Sequence, residues 1–319
     1  MITGVRLLGD VGGTNARFAT YGDDGRPRGV RVVPVDDYET LREAIEAYLA
    51  AEGICKPLRA AAFAVASPVT GDAVKLTNHP WSFSILELQR DLQVERLHVI
   101  NDFTANALAV SHLRPEERQA IGGGDAVPDT PVAVLGPGTG LGVSGLIPAK
   151  GSWTALAGEG GHATMPAGDD DEADVLARLR RRYGHVSAER VLSGPGLVNL
   201  YQTLAEIADV KAESFTPAQI SDRAIGEEEP LCRNALEMFC GMLGEVAGNL
   251  ALTLGARGGV YIAGGIVPRL GARFAASRFR ERFEGKGRFR GYLAAVPTFV
   301  ITAKEPAFLG LADILDRQP

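Results

Sequence analysis

Two strand-like runs, each turned back through a glycine-rich loop, constrain this chain more than any other feature. The first is Leu8-Gly9-Asp10-Val11-Gly12-Gly13-Thr14-Asn15-Ala16-Arg17. The second is Leu135-Gly136-Pro137-Gly138-Thr139-Gly140-Leu141-Gly142-Val143-Ser144-Gly145. Each reads as strand, glycine loop, strand, and each opens one half of the chain. With 319 residues, and about 150 to a typical domain, the echo points to two domains. Glycines lack Cβ, so backbone N–H groups close around an anion, and Thr14 adds a hydroxyl donor. Either loop alone passes as a hairpin turn. Two are harder to explain that way.

The second loop contains a literal G-x-G-x-x-G at Gly140, Gly142 and Gly145. A dinucleotide fingerprint must follow a strand and open a helix. Here the chain continues Val-Ser-Gly-Leu-Ile-Pro, which reads as a strand, so a nicotinamide site is rejected. No G-x-x-x-x-G-K-[ST] is present, which excludes a P-loop enzyme. A third glycine signal, Ile262-Ala263-Gly264-Gly265-Ile266, ends an apolar strand. Bare backbone there lets a flat ring such as adenine pack closely, or simply makes a tight turn.

Between these loops, short apolar runs alternate with helical patterns. Val5–Gly9, Ala16–Tyr21, Val30–Val35, Ala60–Ala66 and Leu97–Ile100 read as strands, with a turn at 22–25. Helices are expected over Tyr38–Ala51, from Ser84 (with Glu87 at capping-box spacing) and over Thr104–Val110. Arg114–Asp129 is polar and glycine-rich and reads as a boundary. Beyond it come strands Val132–Leu135, Val143–Ile147, Gly259–Ala263 and Val296–Thr302. Helices follow over Asp171–Tyr183, Gly196–Ile207, Thr216–Ile225, Pro230–Leu254 and Ala307–Leu315. The alternation makes the class α/β.

Composition excludes several functions. Hydrophobic residues are 45% and charged residues 23%, the balance of a globular protein. A net charge of −6 gives no basic footprint for nucleic acid. No uninterrupted apolar stretch nears the roughly 18 residues of a membrane span. The first ten residues read as a strand and lack a signal peptide's layout. The three cysteines are odd in number and not spaced C-x-x-C, so a reducing cytoplasm fits. Gly158-Glu159-Gly160-Gly161-His162 invites comparison with a metal site. It lacks H-E-x-x-H, and neither a cysteine nor a second histidine lies near. Asp169-Asp170-Asp171-Glu172 suits a helix N-terminus. The basic run Arg278–Arg290, interrupted by Glu281 and Glu284, reads as a solvated helix and loop.

The first loop resembles the opening phosphate loop of bacterial glucokinases, in the hexokinase–actin–Hsp70 superfamily. The resemblance continues at Leu76-Thr77-Asn78-His79-Pro80-Trp81, Ile100-Asn101-Asp102-Phe103-Thr104-Ala105 and the second glycine loop. It continues at Gly158–His162, Glu189-Arg190-Val191-Leu192-Ser193-Gly194, Gly264-Gly265 and Ala307-Phe308-Leu309-Gly310. These motifs span nearly the whole chain in the family's order. The related ROK kinases carry a cysteine-rich zinc motif, which this chain lacks.

The resemblance implies a two-lobed actin-like ATPase (ribonuclease H-like) fold. A cleft would separate a small α/β domain, 1–112 plus 303–319, from a larger helix-rich α/β domain, 113–302. It implies transfer of the ATP γ-phosphate to the 6-hydroxyl of glucose. Phosphoryl transfer to a hydroxyl needs a carboxylate near the attacking oxygen. Asp102, at the end of a strand, is the expected general base; from its position alone it equally reads as a helix cap. Asn78, Asn101, Asp102, Glu159, His162 and Glu189 are implied to bind sugar. ATP is implied to meet Gly9, Asp10, Val11, Gly12, Gly13 and Thr14, then Gly138, Thr139 and Gly140, with Gly264 and Gly265 near adenine. Asp10 would hold Mg2+ through water. A cytoplasmic homodimer follows from the resemblance. A kinase for another hexose or phosphoryl donor, or a non-catalytic sugar sensor, remains open at this point.

Overall fold

The computed structural model describes residues 4–22, 26–226 and 229–317, so most of the turn expected at 22–25 lies outside it. By internal contacts the chain forms two units. One is Met1–Leu113 with Ala303–Pro319, and the other is Arg114–Thr302.

In the first unit, β1 (Arg6–Val11) folds back on β2 (Asn15–Tyr21), which pairs with β3 (Pro27–Pro34) at the sheet edge. On its other side β1 runs parallel to β4 (Ala60–Val65). A two-stranded ladder, β5 (Ala73–Lys75) and β6 (Ser82–Ser84), stands apart. The far edge is β7 (Arg96–Asn101), so the order is β3-β2-β1-β4-β7. Every residue of β4 is buried, as a strand covered on both faces requires. Alternate residues serve opposite faces. Leu7, Val11 and Phe63 join a core with α1 (Leu41–Ala51) and α2 (Ile85–Leu92). Leu8, Ala62 and Ala64 join another with α3 (Asp102–Ala109) and the C-terminal helix, Pro306–Asp316. Thr40 and Ser84 cap α1 and α2 by accepting from the Glu43 and Glu87 amides.

The second unit begins with an edge strand, β8 (Arg118–Gly122), inside the stretch that reads as a boundary. Its glycines and charges hide it, because an edge strand needs only one partner. Then come β9 (Val132–Pro137), β10 (Leu141–Ala149), β11 (Ser152–Leu156), β12 (Val260–Ile262) and β13 (Thr298–Ile301). The order β11-β10-β9-β12-β13-β8 repeats that of the first unit, with β8 added. In both sheets three antiparallel strands are followed by two parallel ones. The echo of the glycine loops is therefore an echo of whole sheets.

Helices α4 (Asp170–Tyr183), α5 (Gly194–Ile207), α6 (Pro217–Ile225) and α7 (Pro230–Leu254) cover this sheet. By length and composition α7 is apolar enough to cross a membrane, yet Phe239, Leu243, Ala247 and Ala251 lie fully buried in the core. Gly244 and Gly248 let a short helix, Phe279–Glu284, lie directly on it.

That short helix corrects the solvated reading of Arg278–Arg290. Phe279, Arg282 and Phe283 are buried. Arg282 donates to Asp169 at 3.0 Å and to Glu172 at 2.9 Å. Asp169 also caps α4 by accepting from the Glu172 amide at 3.0 Å. Burial pushes the Glu172 carboxyl up, against Arg282. The acidic and basic runs are thus two sides of one buried pairing.

Candidate active site

The first glycine loop, residues 12–14, joins β1 to β2. The Gly12 N–H donates back to the Asn15 carbonyl at 3.0 Å. The Gly13 and Thr14 amides make no hydrogen bond among the described residues, and Thr14 is exposed. Neither glycine uses left-handed backbone. Gly13 is required by close approach: a Cβ there would lie 2.9 Å from the Asn78 Cβ. The loop thus rests on the β5–β6 turn that presents Asn78. Gly9 and Val11 lie beneath it. A Cβ on Gly9 would meet the Phe63 ring at 2.3 Å, and Val11 is fully buried. Their packing shapes the loop from below.

Asp10 lies opposite Arg17 in the ladder, with 3.4 Å between Oδ2 and the guanidinium. Burial raises its carboxyl, Arg17 opposes that, and Glu305 at the start of the C-terminal helix adds to it. A half-buried carboxylate with one long cationic contact among the described residues suits a cation approaching through water. Among the described residues no cluster of three or more His, Cys, Asp or Glu forms a metal cage. Mg2+ needs none, since it is held by one or two carboxylates, waters and substrate phosphates.

The Asn101–Asp102 pair divides its work at the start of α3. Asn101 is the cap: its Oδ1 accepts from the Phe103 amide at 2.8 Å and the Thr104 amide at 3.2 Å. Its amide nitrogen donates to the Ser67 carbonyl at 3.4 Å. Asp102 is the first helical residue, half-buried, with Oδ1 accepting from the Phe103 amide at 2.9 Å. It stands at the positive end of the helix dipole. The helix begins two residues before Thr104, and the cap duty falls on Asn101 rather than Asp102. Ser67 carries no sequence signal beyond ending an apolar run. It is buried, and its hydroxyl accepts from the Thr77 amide at 2.7 Å. One residue thereby ties the Asn78 turn to the Asn101–Asp102 corner.

In the second unit the loop between β9 and β10 repeats the design. The Gly138 N–H donates to the Gly140 carbonyl at 2.8 Å, and the Gly138 carbonyl accepts from the Gly194 amide at 2.9 Å. The Thr139 and Gly140 amides make no hydrogen bond among the described residues, and Thr139 is exposed. The Gly264 turn supports the same corner. Gly264 has φ +83°, which favours glycine, and a Cβ there would lie 2.4 Å from the Pro137 carbonyl oxygen. At Gly265 a side chain would meet nothing within 4 Å.

Glu159 precedes and His162 ends a short 3₁₀ turn, Gly160–His162, and both are exposed. Gly161 presses that turn onto β10, since a Cβ would lie 2.0 Å from the Leu141 carbonyl oxygen. The neighbouring turn, Ala188–Arg190, is tied to it by the Ala188 amide donating to the Ala163 carbonyl at 2.8 Å. Glu189 is half-buried, and its Oε2 accepts from the Leu141 amide at 2.9 Å. The fold therefore brings Asn78, Asp102, Asn101 and the first loop together in one unit. It brings Glu159, His162, Glu189 and the second loop together in the other.

Two sheets of one strand order, each opened by a glycine hairpin, define an actin-like, ribonuclease H-like ATPase fold. Comparison with known proteins narrows the class. A family model described as glucokinase matches residues 7–318. The glucokinase of Paramagnetospirillum magneticum is 54% identical over 310 residues, covering 97% of each chain. The crystal structure of a glucokinase from an Antarctic psychrotroph superposes with a TM-score of 0.86 at 38% identity, covering 98% of this chain and 99% of that one. A ROK family glucokinase from Streptomyces griseus, solved with glucose and AMPPNP, shares the fold at 19% identity and a TM-score of 0.66, covering 98% of this chain and 99% of that one. The chain belongs to the glucokinase family.

Proposed function

We propose that this protein is an ATP-dependent glucokinase, giving glucose 6-phosphate and ADP. The observation that carries the reading is the α3 N-terminus. There Asn101 caps the helix, and Asp102, its first residue, stands at the end of β7 in the corner that Ser67 ties to the Asn78 turn. Full-length membership of the glucokinase family supports the same substrate.

Asp102 accepts the proton of the 6-hydroxyl as that oxygen attacks the γ-phosphate. Asn101 offers the sugar its second amide N–H, the first being spent on Ser67. Asn78 in the first unit, and Glu159, His162 and Glu189 in the second, are each donors or acceptors suited to sugar hydroxyls. In each unit by itself, the loop amides without a bond among the described residues, 13–14 in one and 139–140 in the other, suit phosphate oxygens, helped by the Thr14 and Thr139 hydroxyls. Gly264 and Gly265 line the adenine. Asp10 would hold Mg2+ through water, and the ion neutralises phosphate charge when bound. Positioning and electrostatics supply most of the rate in such a transfer.

A coupled assay with magnesium-ATP tests the reading across glucose, mannose, fructose, galactose and N-acetylglucosamine. Turnover confined largely to glucose is expected. Tight glucose binding by calorimetry without turnover on any sugar would make the protein a sensor instead.

A further inference from the structure

We propose that Glu189 serves two ligands at once: it binds sugar and, through the Leu141 amide, holds the second glycine loop in its phosphate-binding shape. The proposal deepens the functional reading and rests on it for the sugar end.

The contacts are direct. Glu189 Oε2 accepts from the Leu141 amide at 2.9 Å, and a Cβ on Gly140 would lie 2.4 Å from that same oxygen. Gly140 is glycine at this place because a carboxylate lies against it. Behind the carboxylate, the Ser193 hydroxyl donates to the Glu189 carbonyl at 2.8 Å, and the Gly194 amide donates to the Gly138 carbonyl at 2.9 Å. The segment 189–194 therefore grips both ends of the loop. It grips one end by backbone and the other by the Glu189 side-chain oxygen.

This arrangement assigns the loop's donors. The Leu141 amide is taken by Glu189 and the Gly138 amide by Gly140, so Thr139 and Gly140 are the amides offered to phosphate. A carboxylate has two oxygens and about four acceptor positions. Oε2 holds the loop and Oε1 accepts from sugar hydroxyls. Ordering the side chain for one ligand orders it for the other, and such coupling is reciprocal. Among the described residues Glu159 and His162 have no comparable bond to the loop, so they act on sugar alone.

Calorimetry on the intact protein separates these roles. Magnesium-AMPPNP is titrated into sugar-free enzyme, and glucose into nucleotide-free enzyme. Glu189→Ala should weaken both ligands, AMPPNP by about five-fold or more, the lower range of allosteric coupling. Glu189→Gln keeps an oxygen for the Leu141 amide, so it should restore AMPPNP affinity while glucose stays weakened. Gly140→Ala supplies the converse. Its methyl displaces the flexible carboxylate and should weaken glucose, although Gly140 has no side chain to offer a sugar. Glu159→Gln should weaken glucose and leave AMPPNP unchanged. Wild-type AMPPNP affinity in Glu189→Ala would overturn the proposal and make Glu189 a sugar residue only. Wild-type glucose affinity in Glu189→Ala would overturn it at the other end. If Glu159→Gln also left glucose unchanged, the sugar assignment of the whole site would fall with it. Unchanged binding stoichiometry distinguishes lost affinity from lost fold.

Discussion

Asn101 and Asp102 are neighbours with similar side chains, and one residue of helix register decides which becomes the cap. Both types favour capping, so sequence alone leaves the choice open. The structure settles it through Asn101 Oδ1, which accepts from two amides. Asp102→Asn isolates the basicity that remains. The amide keeps an oxygen for the Phe103 N–H and nearly the same shape, so both KM values should hold. The value of kcat should fall by roughly 10²- to 10⁴-fold, the contribution of a general base. Near-normal turnover in steady-state kinetics would remove Asp102 from that role. His112 gives a pH-dependent counterpart. Its ring lies 3.0 Å from Asp313 on the C-terminal helix, and this bond raises the His112 pKa above the usual histidine value. A raised folded-state value means that its stabilisation is full below about pH 6.5 and fades as pH climbs through the folded value. Asp313 is held below the usual range despite burial, so its share is lost only in acid. Nearly half of the His112 ring is exposed, so the effect is modest. His112→Gln should lower the melting temperature at pH 6 more than at pH 8.5. An equal loss at both would mean that charge plays no part.

Among the elements, those legible in the sequence are those whose pattern is local. The continuous apolar run of β4, the capped start of α2 and the 3.6-residue stripe of α7 each read correctly from their own residues. Those that escape depend on partners far along the chain. Strand β8 exists because β13 pairs with it. The helix Phe279–Glu284 looks solvated until Asp169 and Glu172 are placed against Arg282. Removing that guanidinium strands the buried Glu172, while Asp169 keeps Arg278 and Glu245 keeps Lys286. Arg282→Ala should therefore cost about 3–5 kcal/mol, the penalty for breaking a buried pair, read by denaturant unfolding. Arg282→Met with Glu172→Met should recover much of it. If the double variant is no better than the single, the loss is one of packing rather than charge. Gly310 plays a similar part in the first unit. A Cβ there would lie 1.9 Å from the Ala105 carbonyl oxygen, so the C-terminal helix touches α3 backbone to backbone. Gly310→Ala should destabilise by about 1–3 kcal/mol, as overpacking does. It should also lower kcat, since α3 carries Asp102. Unchanged stability in a thermal melt would show that the two helices part freely.

Across the whole molecule, the chain leaves its first unit after Leu113 and returns at Ala303, so that unit is completed last. The return is written in the final residues. Ala307, Phe308, Leu311, Ala312 and Leu315 are all buried, and they form one core with Leu8, Ala19, Ala62, Ala64 and Ala105. Without them the β1–β4 face that they cover would expose a continuous apolar surface, which a lone fragment does not tolerate in water. The second unit has no such debt, because its sheet, α4–α7 and main core all fall within Arg114–Thr302. The two units should therefore behave differently when cut at their natural crossings. Residues 114–302 expressed alone should unfold cooperatively, followed by far-UV circular dichroism. Residues 1–113 alone should not, whereas 1–113 joined by a glycine–serine linker to 303–319 should regain a cooperative transition. Cooperative folding of 1–113 without the last helix would mean that the helix merely decorates a finished sheet, and its hold on α3 would then be too weak to position Asp102.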